Sequence, residues 1–235
     1  MNNSFSFNSD VYNFWPLYDS IKKYYPIGIK KNQDLEIYRQ YQGIQELEKI
    51  LINNISDKKT YQSQWVSFIK KVGSDLGKKV NGTTYGLVPS YSAYLLLDSK
   101  KSGNRWNYKE LHFAVSLLGK YFQLYGLEKT ALNYEDQPIP YQVQNLKEII
   151  VSPLEDYKDY FENVELKITQ VFKDYRLVPF TIGQSIINGL EIYHLDREYC
   201  SINMALFNDF LGFGEELNEV TIRGDINYGM YGWKK

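Results

Sequence analysis

The stretch Glu110-Leu-His-Phe-Ala-Val-Ser-Leu-Leu-Gly-Lys-Tyr-Phe-Gln-Leu-Tyr-Gly126 decides the fold class. From Leu111 to Leu118 apolar residues alternate with the small or polar His112, Ala114 and Ser116, the period-two pattern of a strand with one buried face. Gly119–Lys120 supplies a tight two-residue turn into Tyr121–Leu127, a second run rich in aromatic and aliphatic residues. The expected element is a β-hairpin, and an antiparallel sheet follows from it.

Reading upstream, Tyr85–Val88 and Tyr91–Leu97 have strand composition after the turn signal Asn81–Gly82, and Ser99–Asn104 is polar and turn-rich. Before them, Gln33–Ile55 carries Leu35, Tyr38, Ile44, Leu47, Leu51 and Ile55 at helical spacing. Thr60–Leu76 carries Tyr61, Trp65, Phe68, Ile69, Val72 and Leu76 on one stripe. A break at Ser56–Lys59 lets these two helices form a helical hairpin. Downstream, Ser152-Pro153-Leu154-Glu155 has the pattern of a capping box with proline at the first helical position. It opens a helix over 153–174 with Leu154, Tyr157, Phe161, Val164, Ile168, Val171 and Phe172 on one face, and Asp156, Asp159, Glu162 and Glu165 elsewhere. Tyr175–Phe180 ends it. Ile186–Ile187 and Leu190–Leu195 read as short strands around Asn188–Gly189. Ser201 caps a short helix with Ile202, Ala205, Leu206 and Phe210 inward, and Val220, Ile222 and Ile226 alternate as a last strand.

The sum is an α+β chain: antiparallel strands at 85–127 and again after 177, with three main amphipathic helices packed on them. One domain over 1–235 is expected, with a candidate subdomain boundary at 136–141, where Pro138 and Pro140 mark a linker or loop. The echo between Tyr85-Gly-Leu-Val-Pro89 and Tyr175-Arg-Leu-Val-Pro179 would make two pseudo-related halves, although the segments after it do not align.

Composition narrows function. At 235 residues and 43% hydrophobic the chain can bury a core without staples. Its single cysteine, Cys200, cannot form an internal disulfide, which fits a reducing compartment, and the polar start Met1–Asp10 lacks the features of a signal peptide. No apolar run approaches the ~20 residues of a membrane span. A cytoplasmic protein is expected. Net charge is −1, with 27 basic and 28 acidic residues and few arginines, so the overall field of a nucleic-acid binder is missing. A local patch is offered by Lys22, Lys23, Lys30 and Lys31 around Tyr24 and Tyr25.

Chemistry-bearing motifs are sparse. His112, His194 and Cys200 have no zinc-ligand spacing, and no acidic stretch has an EF-hand pattern, so no metal or cofactor is expected. The glycines of Gly212-Phe-Gly214 precede acid rather than a lysine and a helix, unlike a phosphate loop. The enzyme alternative is a cysteine- and histidine-dependent hydrolase or transferase on His194, Asp196 and Cys200, with His194 and Asp196 on one side of a strand. Against it, a lone cysteine usually behaves as a small buried hydrophobe. His112 alternates with Leu111 and Phe113, so it points to the opposite face and reads as a satisfied structural histidine.

Binding is the remaining class. The tail Asn227-Tyr-Gly-Met-Tyr-Gly-Trp233 offers Tyr228, Tyr231 and Trp233 between glycines, either as an interface or as a terminus folded back on the domain. The acidic residues Asp209, Glu215 and Glu216 could meet a basic partner. Tyrosine, at 22 residues, suits half-buried sheets and interfaces alike. The 110–126 hairpin resembles those of cytosolic immunity proteins that neutralise bacterial contact-dependent or secreted toxins. That resemblance covers the hairpin alone and implies a cognate toxin domain bound without catalysis.

Overall fold

In the computed structural model the described residues are 8–31, 33–134, 141–195, 199–208, 210 and 220–235. The 110–126 hairpin forms, and its strands run well past their apolar parts. Strand β3 is Arg105–Ser116 and β4 is Tyr121–Tyr134, in register from Arg105 opposite Leu132 to Val115 opposite Phe122. The turn takes four residues rather than two. Leu118 is buried in the helical core and its N–H is taken by Ser116 Oγ at 3.1 Å, so the strand gives way before Gly119.

The sheet has seven strands, in the order β1 (Lys79–Gly82), β2 (Ser90–Ser102), β3, β4, β5 (Tyr141–Ile150) and β7 (Thr221–Arg223), with β6 (Arg176–Leu177) pairing β4 in parallel. All neighbours along the main path are antiparallel except β5 and β7. The expected strand at Tyr85–Val88 is a turn between β1 and β2, and Ser99–Ser102 extends β2 to meet β3. Strand β5 was not expected. Proline-bearing residues 135–140 lie outside the described set, and the strands flanking them are paired neighbours, Tyr134 opposite Tyr141.

Alternation gives the sheet two unlike faces. On the first, Leu111, Phe113 and Val115 of β3 and Phe122 and Leu124 of β4 pack with Trp65, Phe68, Ile69 and Val72, and with Phe161, Val164 and Ile168. These helical residues come from a π-helical turn Tyr61–Val66, α5 (Ser67–Leu76) and α6 (Lys158–Val171). Gly126 is needed here, because a Cβ would meet the Tyr157 ring at 2.5 Å, and Tyr157 donates its hydroxyl to the carbonyl of Leu127 at 3.1 Å. On the second face, Ala114 and Tyr121 join a larger core built from α1 (Trp15–Tyr24), α2 (Leu35–Gln40), α3 (Gln42–Ser56), α8 (Ile202–Leu206) and the irregular chain at 178–192.

Several expectations are corrected. The helix over 33–55 is two helices, broken where Tyr41 turns extended (φ −60°, ψ 125°). The junction is pressed onto α1: the Tyr41 hydroxyl donates to Lys22 O at 2.7 Å, and a Cβ on Gly43 would lie 2.0 Å from Lys23 O. Leu35 and Ile55, placed on the buried stripe, are exposed. A short α4 (Lys58–Thr60), capped by Asp57, leads into Tyr61. No helical hairpin forms, because α3 and α5 belong to the cores on opposite faces of the sheet.

Ser152 does not open a capping box. Its Oγ accepts from Asp225 N at 2.8 Å, Glu155 takes a positive φ of 45° and pairs with Arg223 at 2.7 Å, and a 3-10 turn Glu155–Tyr157 leads into α6. Residues 186–195 form no strands beyond an isolated bridge from Ile186 to Ser201. Their carbonyls are claimed by helices and turns instead, as in Tyr38 Oη to Glu191 O at 3.0 Å. Ser201 does cap α8, with Ile202, Ala205 and Leu206 buried, whereas Phe210 is exposed. Ile226 lies beyond β7, exposed. The two echo segments differ in structure: one is a turn, while the other contains β6 and leads into α7 (Phe180–Gly183), so the motif does not mark two related halves.

Candidate functional site

His112 sits on the second face in a closed network. Its ring stacks between Tyr94 (centroids 5.1 Å) and Tyr125 (5.4 Å) on the neighbouring strands, and its Nε2 donates to Glu110 Oε2 at 2.8 Å. Lys129 reaches the same oxygen at 2.9 Å. Burial pushes the Glu110 carboxyl up, but the bonds from His112 and Lys129 outweigh it and hold it below the usual range. Burial pulls the His112 imidazole down, against the pull of Glu110. Each group is already satisfied, so this is a structural cluster rather than an acid–base pair facing a substrate.

The enzyme alternative loses its geometry. Cys200 is fully buried in the helical core, close enough to Tyr25 and Tyr38 to raise their hydroxyl pKa values, behind burial as the main cause. His194 lies in a turn rather than a strand, and Asp196 is outside the described residues. The lysine patch fares similarly. Tyr24 and Tyr25 are core residues, Tyr25 donating to Ala205 O at 3.1 Å. Lys23 lies over the Tyr24 ring and pairs with Glu46, and Lys31 Nζ is held by Leu195 O, leaving Lys22 and Lys30 as exposed cations.

Of the tail aromatics, Trp233 is 1% exposed. It packs on Phe14 and Tyr121 and donates Nε1 to Leu177 O at 2.7 Å. Tyr228 is half-buried against Phe161 and donates to Glu165 at 2.6 Å. Burial lifts the Glu165 carboxyl above its ordinary range. Tyr231 alone is open, at 81%. Asp209, Glu215 and Glu216 lie outside the described residues.

A cleft of about 770 Å³ opens between α2, the turn at Leu87 and the turn at Tyr193–His194, lined by Lys31, Leu35, Tyr38, Arg39, Leu87, Tyr193 and His194. Asp34 fixes the start of α2 by accepting from Ile37 N at 3.0 Å, which sets Leu35 and Arg39 on the rim. Ile55 at the end of α3 braces the opposite side: a Cβ on Gly86 would lie 2.8 Å from it. Leu35, Ile37, Ile55, Tyr85 and Leu87 are all exposed, an apolar surface drawn from three separate segments. The nearby carboxylates are occupied, Glu191 by Lys31 N at 2.7 Å and Glu48 by the Tyr193 hydroxyl. Arg39 is felt electrostatically at Tyr193 but makes no hydrogen bond or ion pair with any described residue. No single segment of sequence announces this cleft, because its walls come from three separate stretches, at 31–39, at Leu87 and at 193–194; His194 is its one residue drawn from the expected catalytic set.

No family model matches this chain, and no curated protein or solved structure matches it. Among the described residues no helix is long and apolar enough to cross a membrane, and no group of histidine, cysteine and carboxylate side chains is placed to hold a metal.

Proposed function

We propose that this chain is a non-catalytic binding protein whose partner is another protein, engaged at the cleft between α2 and the turns at 85–88 and 193–194. The observation that carries this reading is that the exposed Leu35 and Leu87 both line a cleft whose rim holds Arg39, which has no ion-pair partner among the described residues. Apolar anchors beside an arginine are the composition of an interface centre, and a planar guanidinium suits a partner carboxylate in bidentate geometry. The partner segment therefore presents an apolar side chain next to an acidic one. The more specific form, a cytoplasmic immunity protein that binds and inhibits a bacterial toxin, rests on the resemblance of the 110–126 hairpin. The hydrolase alternative is disfavoured by the burial of Cys200.

Affinity capture from the native lysate tests it. The wild-type chain should retain one stoichiometric protein, and Leu35→Asp combined with Leu87→Asp should lose it with the far-UV circular dichroism unchanged, since both residues are exposed. A toxin domain encoded beside the gene would support the specific form. Retention of the same partner by the double variant, or no partner for the folded wild type, refutes the reading.

A further inference from the structure

Beyond the helical core, β2 to β5 project as a four-stranded arm whose two faces differ in charge. Register places Ser99, Tyr108, Lys129 and Leu146 in one row of the second face. Lys101, Trp106, Ala131 and Gln144 form the next row outward, and Lys79, Leu96 and Glu110 lie in the row inward. The Trp106 and Tyr108 rings are nearly parallel, 4° apart in plane with centroids 6.0 Å apart. Lys101 Nζ lies over the Trp106 ring at 5.3 Å, and Lys129 Nζ lies 5.7 Å from the Tyr94 ring and 5.9 Å from that of Tyr108. The only carboxylate in these rows, Glu110, is buried and held by His112 and Lys129. Lys79 and Lys101 have no ion-pair partner among the described residues. On the first face of the same arm most charges are paired: Lys100 with Asp98, Lys109 with Glu128 and Asp156, and Arg223 with Glu148 and Glu155, while Arg105 donates to Thr130 Oγ1 at 3.4 Å.

We propose that this second face of the arm is a binding surface for single-stranded nucleic acid, with bases laid on Trp106 and Tyr108 and phosphates drawn to Lys79 and Lys101. An open sheet face carrying flat aromatic rings with ammonium groups between them matches what a strand of stacked bases on a charged backbone needs. A rigid duplex hides its bases and gains nothing from the rings. An apolar protein segment would find little aliphatic surface here, since in these rows Leu96 and Leu146 are half-buried and Leu127 and Ala131 are buried. The surface is distinct from the cleft, so either reading can fail without the other.

The test is fluorescence anisotropy of labelled oligo-dT and oligo-rU of about twelve nucleotides, beside a duplex of the same length, from about 20 to 200 mM salt. Single strands should bind and the duplex should bind more weakly. With two lysines engaged, the slope of log K against log salt should be about −1.4, which is about 25-fold over that range. Trp106→Ala should weaken binding about tenfold. Lys101→Glu should weaken it and flatten the slope, whereas Lys22→Glu should change neither. No binding at the lowest salt, equal binding of the duplex, or unchanged affinity in Trp106→Ala overturns the proposal. So does a protein partner that is lost on Trp106→Ala while oligonucleotides fail to bind.

Discussion

Replacing Trp233 should unfold the protein more readily than any other change in its C-terminal tail. The indole is 1% exposed, lies against Phe14 at 5.1 Å and Tyr121 at 6.0 Å between centroids, and has the Arg176 guanidinium 5.2 Å above it. Its N–H satisfies Leu177 O at 2.7 Å, and the backbone around it is tied to the N-terminal segment by Asn13 N to Trp233 O at 2.8 Å. Truncating a buried aromatic to alanine costs about 3–5 kcal/mol, and the orphaned carbonyl adds about 1 kcal/mol. Trp233→Ala should therefore lose about 5 kcal/mol, or ~10–20 °C in Tm for a chain of this size. Trp233→Phe keeps most of the packing and should lose only about 1–2 kcal/mol, mainly the hydrogen bond. Tyr231→Ala, at an 81% exposed position, should fall within about 0.5 kcal/mol of wild type. Urea unfolding followed by far-UV circular dichroism reads all three. A loss below ~1 kcal/mol for Trp233→Ala, or an equal loss for the phenylalanine variant, would refute this placement and return the tail to the surface.

The His112 cluster should make stability pH-dependent. Burial holds the folded imidazole below its ordinary 6.5, so the unfolded chain takes up the proton first. Stability is full above about pH 7 and declines as pH falls through ~6.5 toward the folded value, by at most about 1.4 kcal/mol per pH unit. Urea midpoints at about pH 7.5 and 5.5 should converge in His112→Gln relative to wild type; parallel losses in both would sink the assignment. Cys200 should resist a thiol reagent in the native state and react once urea unfolds the chain, and Cys200→Ala should cost about 1 kcal/mol while leaving partner capture intact. Rapid native labelling, or lost capture in a folded Cys200→Ala variant, would reopen the enzyme reading.

Helical periodicity was legible where one face alone is buried. The stripe Trp65, Phe68, Ile69 and Val72 is the part of its helix that meets the sheet, as is Phe161, Val164 and Ile168 in the other. The strands were legible only over their buried length. Ser99–Ser102 and most of β5 carry polar or exposed residues on both faces, so alternation gives no signal there and the pairing comes from hydrogen bonds to neighbours, while Arg105–Lys109 alternates aromatic with polar residues over a stretch too short to stand out. Ser152 shows the converse error, a correct local motif overridden because Asp225 needed the same oxygen. The cleft and the aromatic arm escaped for a shared reason. Leu35 and Leu87 come to line one cleft, and Lys129 comes to lie over Tyr94 and Tyr108, through tertiary placement and strand register that spacing along the chain does not encode.

Tyrosine content, which suited sheets and interfaces equally in the sequence, acquires a definite meaning in the fold. A buried carbonyl without a donor costs more than a net hydrogen bond returns, and each carbonyl has two lone pairs to satisfy, in helices and strands as in irregular chain. Tyrosine supplies the donor while its ring fills the core. Tyr25 reaches Ala205 O, Tyr38 reaches Glu191 O, Tyr121 reaches Pro16 O and Tyr157 reaches Leu127 O, each tying a helix or strand to a distant stretch of backbone. Burial raises the pKa of all four hydroxyls, so they remain donors across the physiological range. Tyr25 and Tyr38 tie the N-terminal helices to α8 and to the loop at 186–192, Tyr121 ties α1 to the sheet, and Tyr38 also lines the cleft. Among the described tyrosines Tyr85, Tyr199 and Tyr231 are exposed, and the two proposed surfaces draw on Tyr85 beside the cleft and on the half-buried Tyr108 with Trp106 on the arm. A partner surface should accordingly be sought at those positions rather than inferred from how many tyrosines the chain contains.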